Sequence, residues 1–350
     1  MHVSISRLAA AFTLCATIAS TSTSSAAGIF GGSKDKAATA KVTRGGPLKG
    51  QKNFALGAFR VTFVTEDTVA ALAKGTFTGG NSASSRMTGT LVGVDHDLMQ
   101  KIADEVYADF MKQATAQGII FMDTANLAKK SPTYAAMEQA TNFEEGRLGT
   151  FVIPTGQRSV PLGADGSKRV GKGSKSFADA WRQTAQTMDK AEANKVFPKV
   201  SQETGTTVLA VTIVVNFANF KGNGTSSFTM NAKTSIISGA TLEGMSKGDA
   251  IASTSIMGWD PKTNDCGLCM AEVALEGSVH SDVPIGTLDA HSDMKVGDHI
   301  ANGIAALAGG TTYSKKAAII NADPVAYETN VLLVAAQAND LLITALANEK

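Results

Sequence analysis

The chain has 350 residues, 43% of them hydrophobic, 18% charged and 6% aromatic, and its 32 Lys plus Arg nearly cancel its 31 Asp plus Glu. That balance excludes the clustered cationic surplus on which nucleic-acid binding depends, and the apolar content excludes an acidic disordered chain. What remains is a folded protein with enough apolar material for one large core or two smaller ones.

Arg7 precedes the apolar run Leu8 to Ile18, and a small, hydroxyl-rich segment follows to Ala27. This is the pattern of a secretory signal peptide, with residues 1–27 removed near Ala27 and a periplasmic or secreted bacterial protein as the product. Leu14 stands before Cys15 where lipidation wants a small residue, so simple export is the expected route. No later apolar run is unbroken over membrane length, so the mature chain is expected to carry no transmembrane helix. Residues 28–52 hold almost no large apolar side chain and read as a flexible linker. A single elaborated domain over 53–350 follows.

Phe54 to Thr65 has the density of β-branched and aromatic residues of a buried strand, with Val69 to Phe77 as its antiparallel partner. A Gly/Ser loop over 79–85 and an extended segment from Met87 to Val94 come next. Asp95 then caps a helix from His96 to Gln117, whose stripe of Leu98, Ile102, Val106, Phe110 and Met111 ends at Gly118. A short buried strand, Ile119 to Met122, follows, and Ser131-Pro132 opens another helix carrying Tyr134 and Met137. Strand, helix, strand, helix implies an α/β layer with a parallel crossover, α+β being the alternative.

From Gly146 to Ser176 the chain becomes Gly-rich and basic, a long loop holding a short strand at 150–154. Helical patterning over 177–193 and Pro198 to Thr204 leads into Thr206 to Phe217, the clearest strand in the sequence. Strands at 227–238 and 269–281 continue the sheet. A C-terminal helical region covers 294–308 and 324–348, the second helix so apolar that it must pack on a sheet or a partner.

The chemistry-bearing candidates are few. Arg158, Lys168, Arg169, Lys172 and Lys175 form a basic patch in the long loop, suited to an anionic ligand or surface. Gly166 to Gly173 nearly spells a phosphate-cradling loop, but Gly173 replaces the metal-holding hydroxyl and no strand feeds the segment. Cys266 and Cys269 have redox spacing yet precede a strand, so a disulfide pinning a hairpin loop is the plainer expectation. His280, His291 and Asp293 are the best metal ligands on offer, although His291 and His299 do not sit on adjacent helical turns. No catalytic constellation and no cofactor motif stands out.

The order of elements resembles the periplasmic domain of the curli-secretion channel family and of lipoprotein activators of penicillin-binding proteins. The likeness is carried by the helix at 97–117, the strand Ile119 to Met122, and the passage Phe197 to Ile213, where a helix ends near a Gly before a long strand. It departs in lacking a lipidation motif and in its basic insertion. The resemblance implies envelope assembly or scaffolding without catalysis, with an envelope protein or a second copy as partner. An anion- or small-molecule-binding module using 158–175 is the alternative, with a thiol-redox or metal-dependent enzyme behind it.

Overall fold

Alternation of apolar residues on long strands, and an amphipathic helix on either side of them, build an α/β fold with mixed sheets. The computed structural model describes residues 38–74, 82–137, 143–146, 149–158, 193–225, 231–242, 254–262, 270–281, 283–292 and 312–349. Its strands are β1 (Thr39–Thr43), β2 (Asn53–Phe63), β3 (Glu66–Lys74), β4 (Ser82–Val92), β5 (Ile120–Met122), β6 (Phe143–Gly146) and β7 (Gly149–Val152). They continue with β8 (Thr207–Thr225), β9 (Asn231–Leu242), β10 (Ser255–Trp259), β11 (Ala271–Glu276), β12 (Val279–His280), β13 (Gly286–Ser292) and β14 (Thr312–Ala322). The helices are α1 (His96–Ala116), α2 (Thr124–Lys130), α3 (Pro132–Ala135), α4 over 193–204 and α5 (Pro324–Asn348).

The larger sheet is organised around β8. Its first half pairs in parallel with β2, from Phe54↔Thr207 to Phe63↔Val215, and antiparallel with β10 on its other side. Its second half runs on past both and pairs with β9 from Val215↔Leu242 to Thr225↔Asn231. β9 and β10 therefore occupy one row, β11 and β12 the next, and β1 closes that edge on β11. On the far side of β2, β5 pairs with its start and β7 with its end, and β6 lies outside β7.

Both faces of β8 are covered, as a central strand of an α/β layer requires. Leu209, Val211 and Ile213 join the cluster under α1 and α5, while Val208 and Ala210 join the one under α2, α3 and α4. Period-two alternation thus feeds two cores from one strand. Gly57 lies at the irregularity where β2 shifts register against β8 between Leu56 and Ala58. A Cβ there would stand 2.6 Å from the Phe197 ring, so only glycine lets α4 approach.

The smaller sheet runs β13, β14, β4, β3, with β14 and β4 parallel over ten residue pairs. β3 packs against β8, and β4 against β9. Buried Asp67 accepts from Asn216 Nδ2 at 2.8 Å, which ties the two sheets together.

Several expectations change. The linker ends earlier than residue 52, because Thr39–Thr43 form β1 and Leu48 is 1% exposed in the core; backbone pairing with β11 orders a segment that lacks apolar bulk. β3 is the partner of β4 and not of β2, since the chain leaves the first sheet after Phe63 and starts the second. The helix expected from Pro198 includes residue 193, so Pro198 sits inside it, at a position without a backbone N–H for Asn194 O. β6, β10, β13, β14 and α2 have no counterpart among the expected elements, and β4 begins at Ser82, inside the loop expected over 79–85. The helices expected at 177–193 and 294–308 lie outside the described residues, except for residue 193. α1, with Asp95 accepting from Leu98 N at 2.9 Å, and α5 stand as expected.

α5 is long and apolar enough to cross a membrane by length and composition. Here it serves as a core helix: Tyr327, Val331, Val334, Leu342 and Leu346 are all buried against α1 and the sheet. From Lys36 to Lys350 the chain forms one compact unit.

Candidate functional site

Between β5 and β7 the edge of β2 has no strand neighbour among the described residues, and beside this notch the turn at 153–158 is hydrogen-bonded to both α1 and α3. Asp104 on α1 fixes the turn. It accepts from Thr155 N at 2.7 Å, from Thr155 Oγ1 at 2.9 Å and from Gln100 Nε2 at 2.9 Å. Gln100 also donates to Ile153 O at 3.2 Å. The turn is thus bound to the helix by charge-assisted bonds, the stronger class of hydrogen bond.

Gln157 and Arg158, at the end of the turn, reach toward α1 and α3. Gln157 donates to the Tyr107 hydroxyl at 3.0 Å, and Tyr107 packs edge-on against Phe59 at 5.3 Å between ring centroids. Arg158 donates to Ala135 O at 3.0 Å and Met137 O at 2.7 Å, and lies 5.5 Å above the centre of the Tyr134 ring. The guanidinium therefore satisfies the carbonyl end of α3 while stacking on an aromatic face.

α3 itself is held by Glu203 of α4. Its carboxylate accepts from Ser131 Oγ at 2.5 Å, Thr133 Oγ1 at 2.7 Å and Thr133 N at 3.1 Å. Burial pushes the Glu203 carboxyl up, but these donors outweigh it and hold it below the usual carboxylate range.

Three polar atoms in and beside the notch are buried without a hydrogen-bond partner among the described residues: Tyr134 Oη, Gln157 Oε1 and Gln100 Oε1. Burial pushes the Tyr134 hydroxyl up to about 12, with nearby Arg158 opposing the shift, and burial also raises Tyr107. The notch therefore sets buried hydrogen-bonding groups beside the Arg158 guanidinium.

Of the basic residues singled out in the sequence, Arg158 is the one in place here; Lys168, Arg169, Lys172 and Lys175 lie outside the described residues, as do Cys266, Cys269 and Asp293. His280 is exposed on β12, opposite Thr241 in the larger sheet, whereas His291 lies on β13, opposite Ala317 in the smaller one. Among the described residues no three His, Cys, Asp or Glu side chains gather as a metal site would need. Sequence reasoning missed Asp104, Tyr107, Gln157 and Glu203. Their roles depend on partners 50 to 72 positions away, which no local spacing announces.

A second candidate surface is the smaller sheet. β13 is its edge strand, pairing with β14 alone among the described residues. Residues 287–290 are all exposed, and Leu288 is 43% exposed although its register partner Ile320 is fully buried. Such an overhanging, sparsely charged edge can accept another strand.

No protein-family model, no curated protein and no solved structure matches the chain.

Proposed function

We propose that this is an exported, non-enzymatic protein of a bacterial envelope that works by assembly, with a second copy of the chain as its first partner. The observation that carries the reading is the open β13 edge, where Thr287, Leu288, Asp289 and Ala290 face solvent together. Paired edges satisfy backbone groups that water otherwise solvates, so exposed strands favour sheet extension between chains. The signal-peptide pattern and the resemblance to the curli-secretion channel domain support the same reading.

The test is light scattering coupled to size-exclusion chromatography on the mature protein, beside Leu288→Lys. A charge at the centre of the edge should weaken self-association about tenfold or more while leaving the circular dichroism spectrum unchanged. A wild-type protein that stays monomeric and retains no envelope partner would sink the proposal.

A second reading is favoured by Arg158. Arg158, the first cation of the expected basic patch, is held at Ala135 O, Met137 O and the Tyr134 ring, which supports a patch that begins there. An anionic ligand or surface would then be held by Lys168, Arg169, Lys172 and Lys175.

A further inference from the structure

We infer that β1 is an exchangeable strand: residues 39–43 of one copy can leave their own β11 and pair with β11 of a second copy. This rests on the reading above that copies of the chain assemble, and it adds a contact separate from the β13 edge.

The segment divides into a loosely held strand, a strained joint and a firm anchor. None of the five residues of β1 is buried; exposed and half-buried positions alternate along it. The strand it covers is the opposite, with Ala271, Val273, Ala274 and Leu275 all 1% exposed or less. β1 contributes its backbone ladder, from Thr39↔Glu276 to Thr43↔Glu272, the half-buried side chains of Ala40 and Val42 against the core, and the Lys41 to Glu276 ion pair at 3.1 Å between two exposed side chains. An exposed pair of that kind adds little.

The joint is Arg44, with a φ of 54°, followed by Gly45 and Gly46. It is the one residue other than glycine with positive φ among the described residues, and an L-residue disfavours that region. The anchor follows at once. Leu48 is buried, Pro47 O accepts from Thr207 Oγ1 at 3.2 Å, and Gly50 N donates to Glu349 O at 2.8 Å. Movement is thus confined to 38–46 while residues 47–50 stay in the core.

Every β1 to β11 contact made within one chain can be made between two, because the exchanged element is identical. What differs is the joint. The closed form must bend at Arg44 into the left-handed region, whereas an extended joint leading to a neighbour need not. Strain in the closed form alone tilts the balance toward exchange as protein concentration rises. The occupant of the vacated β11 edge is fixed by the same register and by the Lys41 and Glu276 charges.

The experiment uses the ion pair as a reporter. Mature protein labelled with nitrogen-15 is mixed with unlabelled protein, partly unfolded and refolded together, and treated with a zero-length carbodiimide that joins Lys41 to Glu276. Exchange predicts linked peptides of mixed isotope, approaching about half of the links in the oligomer fraction at full exchange. Arg44→Gly, which relaxes the closed joint, should lower the mixed fraction about threefold or more; Arg44→Val, which strains it further, should raise it. Oligomers whose Lys41 to Glu276 links are all of one isotope would overturn exchange and leave the assembly reading standing. A protein monomeric at every concentration, with links of one isotope only, would overturn both.

Discussion

Tyr134 shows how a single side chain can be costly and still retained. Its ring supports Arg158 and fills the second core, yet its hydroxyl is buried without a hydrogen-bond partner among the described residues. The hydroxyl ionises near pH 12 in the folded protein and at its ordinary value of 10.0 in an unfolded chain. Between those limits the unfolded state has lost a proton that the folded state keeps, so stability falls as pH rises through the window. Tyr327 adds to the slope, since burial raises it as well. Tyr134→Phe should flatten the alkaline decline in urea-unfolding free energy, by up to about 1.4 kcal/mol per pH unit above pH 10. At neutral pH it should change stability by less than about 1 kcal/mol, because no bond is lost. A larger neutral-pH loss would reveal a ligand or ordered water on the hydroxyl.

Glu203 titrates in the opposite sense. Its lowered pKa stabilises the fold above the ordinary carboxyl value of 4.5, and that contribution disappears as acid protonates it in the folded state. The group is largely solvated, so the effect is small. Glu203→Gln should cost about 1 kcal/mol at neutral pH, the cost should shrink as acid protonates the native carboxyl, and a pH-independent loss would refute the assignment.

At the scale of elements, α1 was the most legible part of the chain. Asp95 announces its start, Gly118 at a φ of 70° its end, and the apolar stripe its buried side. The stripe was read almost correctly: Ile102, Val106 and Phe110 are buried, but Met99, Ala103 and Ala114 take inner positions assigned to Leu98 and Met111. The helix is rotated toward α5, because Asn339 of α5 donates to Asp109 Oδ2 at 2.9 Å and Gln113 donates to Ala336 O at 3.1 Å. Polar contacts with a helix more than 200 residues away set a rotation that amphipathicity alone leaves loose. Phe110 is the pivot, its ring 5.3 Å from Phe59 and 6.0 Å from Phe121. Phe110→Ala should destabilise the protein by about 3–5 kcal/mol in denaturant unfolding. A cost under about 1 kcal/mol would mean that α1 does not dock as described.

The strands of the smaller sheet were hardest to read. β4 is rich in Ser, Thr and Gly, and β13 exposes four successive residues, so neither shows the alternation that marks a half-buried strand. β14 begins Thr-Tyr-Ser-Lys-Lys and looks equally unpromising. Their pairing is decided by parallel register between β4 and β14, elements more than 200 residues apart, which local pattern cannot carry.

At the scale of the whole molecule, the α/β class followed from the order of elements, while the division into two sheets did not. The candidate site was legible only in Arg158; the notch around it comes from chain crossings that bring α1, α3 and one turn together. If residues 158–175 hold an anionic ligand, Lys168→Ala, Arg169→Ala and Lys172→Ala together should weaken binding to vesicles of anionic phospholipid and flatten its dependence on salt. Titration calorimetry at low and high ionic strength tests this, and an unchanged isotherm would remove the second reading.

β8 has one more consequence. It is 19 residues long, roughly 60 Å at the usual rise of a strand, and one half is a central member of the core while the other is the floor of the smaller sheet. A load applied at its far end would pass along one backbone, across the register shift against β9 between Asn216 and Ala218, into the buried ladder of the larger sheet. The smaller sheet is therefore mounted on a strut, and a partner that grips its edge pulls directly on the foundation.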